Sequence, residues 1–282
     1  SELQDFSSEL SSDLGLSKTS ANEVNGILNK HGRRGKHREP GFLWKVADEL
    51  ADKLSDEEKA RLFEKMEEKD VSPFGSGKRK GGKSSKKGKK QGAGIFKVLT
   101  EDQKVVYKAM MSSYKDKYKL LRSQVKDGAI TKDDAKSQMR ALKDAMQAEV
   151  DALLTDEQKA QIEQNKADRK AKHAVYRDSS KAVMVNVLSM TEDQVVAYDA
   201  AKQEAKDAAS ALFEQSKNGD IDRETLRASL KSLFIERNDK LELIFDIKQM
   251  DIIKIHKALT MRMKKHRSSK GKKAKKSSRS KS

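Results

Sequence analysis

The sequence contains one unit twice, and this repeat limits the fold more than any other feature. A shift of 91 positions places LTEDQKVVYKAMMSSYKDK (99–117) over MTEDQVVAYDAAKQEAKDA (190–208) without a gap. The same shift places QVKDGAI (124–130) over QSKNGDI (215–221). The register continues until Gln158 lies over Gln249. An ungapped match of about sixty positions indicates that one supersecondary unit occurs twice.

Each copy carries the signature of helix N-termini. A threonine is followed three positions later by a glutamine in three pairs, which are Thr100–Gln103, Thr155–Gln158 and Thr191–Gln194. In such a capping box, the threonine hydroxyl accepts from the glutamine N–H, and the glutamine side chain accepts from the threonine N–H. Acidic residues between them complement the positive end of the helix dipole. The pattern therefore predicts a helix start at each site.

The centre of each copy predicts a turn between two helices. Gly128 and Gly219 can adopt the positive φ that ends a helix, and Thr131 and Asp222 can cap the next one. The range 95–263 contains no proline. In the second helix of each copy, apolar residues recur three and four positions apart, which indicates one buried face. The predicted fold is all-α, with repeated long helical hairpins.

Composition divides the chain into five predicted regions. LSDEEKARLFEKMEEK (54–69) resembles LTDEQKAQIEQNKADR (154–169), so the N-terminal region is interpreted as helical and as a degenerate third copy. The regions are an N-terminal helical region (1–72), a disordered Lys/Gly/Ser linker (73–94), the first hairpin (95–185), the second hairpin (186–263) and a disordered polybasic tail (264–282).

The net charge of +17 is concentrated in two segments without acidic residues. These segments, 78–90 and 264–282, hold 18 of the 61 Lys and Arg residues, so the remaining 43 nearly balance the 44 acidic residues. Lysines close to phosphates release counterions, which favours polyanion binding, although such runs also occur as plain solvated segments. The candidate polyanion-binding residues are Lys78, Arg79, Lys80, Lys83, Lys86, Lys87, Lys89, Lys90, Lys264, Lys265, Arg267, Lys270, Lys272, Lys273, Lys275 and Lys276.

The most apolar stretch, 232–263, is predicted as one C-terminal helix. Its apolar side chains occupy more than one face, which is typical of a core or dimer interface, or of an exposed surface that binds unfolded proteins. The candidate partner-binding residues are Leu233, Phe234, Leu241, Ile244, Phe245, Ile252 and Ile253.

Catalytic chemistry has no counterpart in the sequence. The chain contains no cysteine, no phosphate-binding glycine loop and no nucleophile–base pattern. The glycine turns lack the carboxylates of a calcium loop, and no apolar run reaches the length of a membrane span. We therefore expect no enzyme activity, catalytic residue, metal site, cofactor or transmembrane segment.

The recurrent L-T-x-x-Q pattern resembles the Spy/CpxP group of bacterial envelope proteins. The matching residues are Leu99, Thr100 and Gln103, then Leu154, Thr155 and Gln158, then Met190, Thr191 and Gln194, with Met in place of Leu. The resemblance implies an all-helical cradle, often a homodimer of bent hairpins, in the periplasm. It also implies ATP-independent holding of unfolded proteins or a sensor-adaptor role.

These observations lead to two functional hypotheses. In the first, a non-enzymatic envelope stress protein, exported by a signal peptide, binds unfolded or envelope proteins through its helices. Its polybasic segments tether it to an anionic surface. In the alternative, helices dimerise and space the tails of a histone-like protein in the cytoplasmic nucleoid, or of a matrix protein. The polyanion would be nucleic acid, anionic lipid or polysaccharide.

Overall fold

The computed structural model describes residues 2–75 and 94–279, with side chains described as far as residue 268. These residues are helical and contain no β-strand, which confirms the all-α fold. The helices are α1 (Glu2–Leu14), α2 (Lys18–Gly32), α3 (Phe42–Lys53), α4 (Asp56–Glu68), α5 (Glu101–Lys126), α6 (Lys132–Leu153), α7 (Asp156–Val187), α8 (Glu192–Asn218), α9 (Arg223–Glu242) and α10 (Ile247–Arg279). A kinked 3-10 segment, Arg33–Arg38, joins α2 to α3.

The predicted capping residues begin the helices. At the start of α5, Thr100 Oγ1 accepts from the Gln103 N–H at 3.2 Å, and Gln103 Oε1 accepts from the Thr100 N–H at 3.0 Å. Matching capping boxes begin α4, α7 and α8. Gly219 ends α8 at φ 87°. Local sequence rules thus determine these helix ends.

The chain divides into two compact units. The smaller is Gly81–Ala174, and the larger combines Ser1–Lys80 with Val175–Ser282. The division falls within α7 rather than at the predicted boundary after residue 185. The reason is that Met184 and Leu188 already belong to the core of the larger unit.

The larger unit buries α10 against the N-terminal helices. Leu28, Val46 and Leu62 lie in one core with Ile255 and Leu259. In the N-terminal region α1, α3 and α4 contact α10, and α2 packs against α1 and α3. Within it, α3 and α4 have 12 and 13 residues and pack against α10. The interpretation of 1–72 as a degenerate hairpin copy stays a prediction.

The smaller unit contains an antiparallel hairpin of α5 and α6. Tyr114 Oη donates to Glu149 Oε1 at 2.6 Å, which joins the middle of one helix to the end of the other. This hydrogen bond, with burial, raises the pKa of Tyr114 to about 12. Leu99, Tyr107 and Val150 form the centre of its apolar cluster.

The prediction of a disordered tail is wrong for residues 264–279, because α10 continues to Arg279. Lysine and alanine favour helix, no proline interrupts the segment, and basic residues suit a helix C-terminus. The linker prediction is also too long at its start, because Phe74 stacks on Phe245 with ring centroids 5.8 Å apart. Most of that linker, 76–93, lies outside the described residues.

At the N-terminus of α3, Gly41 allows the backbone to lie against the side chain of Val183. Its φ is 81°, and an added Cβ would lie 2.5 Å from Val183 Cβ. Gly41→Ala is therefore expected to lower the free energy of unfolding by about 3 kcal/mol, through a strained backbone and a steric clash. Urea unfolding monitored by fluorescence of Trp44, the only tryptophan, reports on this unit.

The control for Gly41 is Gly26→Ala within α2, where an added Cβ meets no atom within 4 Å. Alanine favours the helix at that position, so stability should rise by about 0.5–1 kcal/mol. Equal unfolding midpoints for Gly41→Ala and the unsubstituted chain would contradict the packing described here.

Candidate functional site

A reciprocal glutamine pair closes the base of the first hairpin. Gln103 Nε2 donates to Gln158 Oε1 at 3.0 Å and to the Leu153 carbonyl at 2.8 Å. Gln158 Nε2 donates to Gln103 Oε1 at 2.7 Å and to the Val98 carbonyl at 2.8 Å. Each glutamine caps its own helix and also bonds the segment that leads into the other. The pair therefore holds the starts of α5 and α7 together.

The second hairpin repeats this arrangement with Gln194 and Gln249. Gln194 Nε2 donates to Gln249 Oε1 at 2.9 Å and to the Ile244 carbonyl at 2.9 Å. Gln249 Nε2 donates to Gln194 Oε1 at 3.1 Å and to the Leu188 carbonyl at 2.9 Å. Gln249 is only 7% exposed. This pair lies within the larger unit, as the first lies within the smaller.

A further capping box, at the start of α10, was not recognised in the sequence. Asp246 Oδ1 accepts from the Gln249 N–H at 2.7 Å, and Gln249 Oε1 accepts from the Asp246 N–H at 3.1 Å. The register of 91 residues already placed Asp246 over Thr155, but aspartate hid the T-x-x-Q pattern. The single helix predicted for 232–263 is wrong, because α9 ends at Glu242 and α10 begins at Ile247.

The side chains of the L-T-x-x-Q motif make their contacts inside the protein. Both amides of each pair bond one another and backbone carbonyls, and the preceding apolar residues Leu99 and Leu154 are buried. Met190 is partly buried against the core of the larger unit. The geometry therefore assigns these residues to capping and hairpin closure.

The candidate partner-binding surface is largely core. Leu241, Phe245, Ile252 and Ile253 are buried, which fits the core alternative and not the alternative of an exposed surface. The other three candidates, Leu233, Phe234 and Ile244, are partly buried. For Ile252 and Ile253 the physical reason is that α3 and α4 pack against α10. Phe245 is covered by Phe74, which stacks on its ring.

Other apolar side chains are exposed instead. Leu243 and Ile247 flank the second glutamine pair and are 89% and 91% exposed. Val105 and Val196, equivalent in the two copies, are both 68% exposed. The first hairpin has alanine and aspartate at the positions equivalent to Leu243 and Ile247. The shift of 91 residues could have identified this difference, but exposure depends on tertiary packing.

The basic end of α10, residues 264–279, is joined to α1 at its beginning. His266 Nδ1 lies 2.7 Å from Glu9 Oε2, and Arg267 Nε donates to Glu2 Oε1 at 2.6 Å. The hydrogen bond from Arg267 is the main cause of a lowered pKa of Glu2. Lys264 and Lys265 are exposed.

The remaining basic candidates are described less completely. Lys270, Lys272, Lys273, Lys275 and Lys276 lie in the helical continuation of α10, for which backbone positions alone are described. The predicted binding residues between Lys78 and Lys90 lie outside the described residues.

Comparisons with protein-family models, curated proteins and solved structures gave no match. The resemblance to the Spy/CpxP group therefore stays a prediction. In the described part of the chain, no helix combines the length and apolarity that a membrane crossing needs. Over the same residues, no three His, Cys, Asp or Glu side chains are grouped so that they could hold a metal ion.

His256 makes the larger unit sensitive to acid. Its ring stacks on Trp44 with centroids 3.7 Å apart, and burial together with Lys257 lowers its pKa from 6.5 to about 3. A depressed pKa means that the unfolded state binds the proton more readily, so stability falls as pH drops below about 6.5. At pH 4 the expected loss from this group is about 3 kcal/mol.

His256→Phe isolates this effect, because phenylalanine retains an aromatic ring beside Trp44 and cannot be protonated. The difference in unfolding free energy between pH 7.5 and pH 4 should shrink in the variant. The same pH dependence in both proteins, measured by urea unfolding, would exclude His256 as the cause.

Proposed function

We propose that the chain binds an extended polyanion by charge, with a nucleic-acid phosphate backbone as the ligand class. The observation that carries this proposal is the continuation of α10 as helix through the basic segment to Arg279. From Ile252 to Ser282 the chain has thirteen Lys and Arg residues and no Asp or Glu. A helix that continues to Arg279 and carries no acidic residue after Asp251 supports a role beyond solubility.

The charge spacing suits a phosphate backbone. Nine basic residues lie between 264 and 279. A helix rises by 1.5 Å per residue, so this stretch spans roughly 24 Å. A DNA duplex carries one phosphate per about 1.7 Å of axis. Several lysines can therefore lie near phosphates at once, and each displaced counterion favours association.

The ion pairs with α1 support an anchored role for this segment. Because Arg267 bonds Glu2 and His266 contacts Glu9, the basic end of α10 begins on the folded body. A bound polymer would then be attached to the larger unit instead of to a freely hinged chain. The pairing also leaves Arg267 less available to phosphate than the lysines beyond it.

Binding is expected to be independent of base sequence. Neither 246–282 nor 78–90 contains a Phe, Tyr or Trp on which a base could stack, His256 already stacks on Trp44, and His266 is buried. The test is fluorescence anisotropy with two unrelated duplexes of equal length, at low salt. We expect equal affinities for both duplexes, and competition by polyphosphate. No binding, or strong discrimination between the duplexes, would contradict the proposal.

A second proposal is the binding of unfolded proteins, as the Spy/CpxP resemblance implies. The observation that favours it is the nearly complete exposure of Leu243 and Ile247 beside the second glutamine pair. Exposed apolar groups of this kind mark interaction sites when they form a patch. Envelope location, export by a signal peptide and homodimerisation belong to this proposal and stay predictions.

Aggregation of a chemically unfolded client tests the second proposal. Leu243→Ser with Ile247→Ser should abolish protection if these side chains capture clients. The exposed pair Lys206→Ser and Lys231→Ser is the control, since it removes charge from the same hairpin and no apolar surface. Unchanged protection by the Leu243/Ile247 variant would exclude this surface as the client site.

A further inference from the structure

A half-open groove in the larger unit lies between α1, α4 and α10, and we call it the α4–α10 groove. It has a volume of about 90 Å³. Its floor is apolar and is formed by Phe6, Leu10, Leu62, Met66 and Met261. Space on this scale holds roughly six to nine waters, which is enough for a short alkyl chain.

The rim of the α4–α10 groove is cationic. Asp13 bridges its two walls, accepting from Lys65 at 2.9 Å and from Arg262 at 2.5 Å. The hydrogen bond from Lys65, with a smaller contribution from Arg262, holds the pKa of Asp13 below its usual range. The bridge neutralises part of the rim and orients the walls.

One turn further along, Lys69, directly after the end of α4, and Lys265 on α10 also line the groove. Both side chains are exposed, and no ion pair joins either of them to a carboxylate of the described residues. Six ionisable groups with formal charge line the groove, and the four cations exceed the two acids, Glu9 and Asp13, by two. An apolar floor beside unneutralised lysines is complementary to an anion with an apolar tail.

We infer that the α4–α10 groove binds a single-chain amphiphilic anion, whose alkyl tail lies on Met66 and Met261 and whose anionic head lies between Lys69 and Lys265. Transfer of the alkyl tail out of water is favourable, and two cations at the edge of a low-dielectric site stabilise the anionic head. A medium-chain carboxylate satisfies both requirements. This site is separate from polyanion binding by the lysines from 270 to 276.

Octanoate, well below its micelle concentration, is the probe. With methyl-labelled methionine in the full chain, octanoate should produce saturable shifts of the Met66 and Met261 signals. Met139 and Met146, which lie in the other unit, should not respond. A ligand of this size is expected to bind with a Kd on the order of 100 µM. Butyrate, with a shorter tail, should bind more weakly.

Charge reversal separates this site from unspecific detergent binding. Lys69→Glu with Lys265→Glu should weaken octanoate binding at least about tenfold and should favour octylamine instead. The control, Lys36→Glu with Lys45→Glu, makes the same charge change at exposed positions elsewhere in the unit. Absent shifts, shifts spread over methionines of both units, or equal octanoate affinities in both variants would overturn the inference.

Discussion

Replacing five lysines at the basic end of α10 with glutamine is expected to weaken duplex DNA binding about 100-fold at about 100 mM salt. The substituted residues are Lys270, Lys272, Lys273, Lys275 and Lys276. The estimate assumes that about half of them lie near phosphates, because each such contact contributes through the release of a counterion. Glutamine retains helix propensity and polarity, so the change removes charge with little effect on the helix.

The matched control removes five exposed lysines from the helices of the smaller unit, outside both polybasic segments. These are Lys126, Lys132, Lys143, Lys170 and Lys172, and no ion pair involves them among the described residues. Both variants lose the same net charge. If both lose the same affinity, binding depends on overall charge and the basic end of α10 is not the site.

Gln249→Leu is expected to lower the free energy of unfolding of the larger unit by about 3 kcal/mol. The leucine has a similar volume but leaves the Leu188 carbonyl, the Asp246 N–H and the Gln194 amide without their bonds to this side chain. Buried polar groups without partners cost about 1–3 kcal/mol each, partly relieved by rearrangement. Urea unfolding followed through Trp44 measures the change.

The control for Gln249 is Gln203→Leu on α8, whose amide bonds the Asp207 side chain one turn away in an exposed position. Loss of this side-chain hydrogen bond should change the free energy of unfolding by less than about 0.5 kcal/mol. A small effect of Gln249→Leu, comparable to that of Gln203→Leu, would show that the glutamine pair does not hold the hairpin closed.

Local sequence rules predicted several helix ends correctly. The T-x-x-Q boxes at Thr100 and Thr191 and the glycine turn at Gly219 form as expected, because capping depends on residues a few positions apart. The repeat also predicted two equivalent hairpins. The reciprocal bonding of Gln103 with Gln158 could not be deduced from capping alone, since it joins residues 55 positions apart.

Tertiary packing decides which apolar faces are buried, and the sequence alone does not show this. The apolar faces of 232–263 indicated either a core or an exposed surface, and only the position of α1–α4 decides that Ile252 and Ile253 are buried. Composition predicted disorder after residue 263, yet the contacts of His266 and Arg267 with α1 support helix there. The groove residues come from three distant segments and carry no shared motif.

The most direct test of polyanion binding is the salt dependence of the affinity of the full chain for duplex DNA. If the basic end of α10 binds phosphates by counterion release, log K should fall linearly with log salt concentration, with a slope of about −4 or steeper. A slope near zero would mean that binding does not depend on phosphate contacts, and the proposal would be wrong.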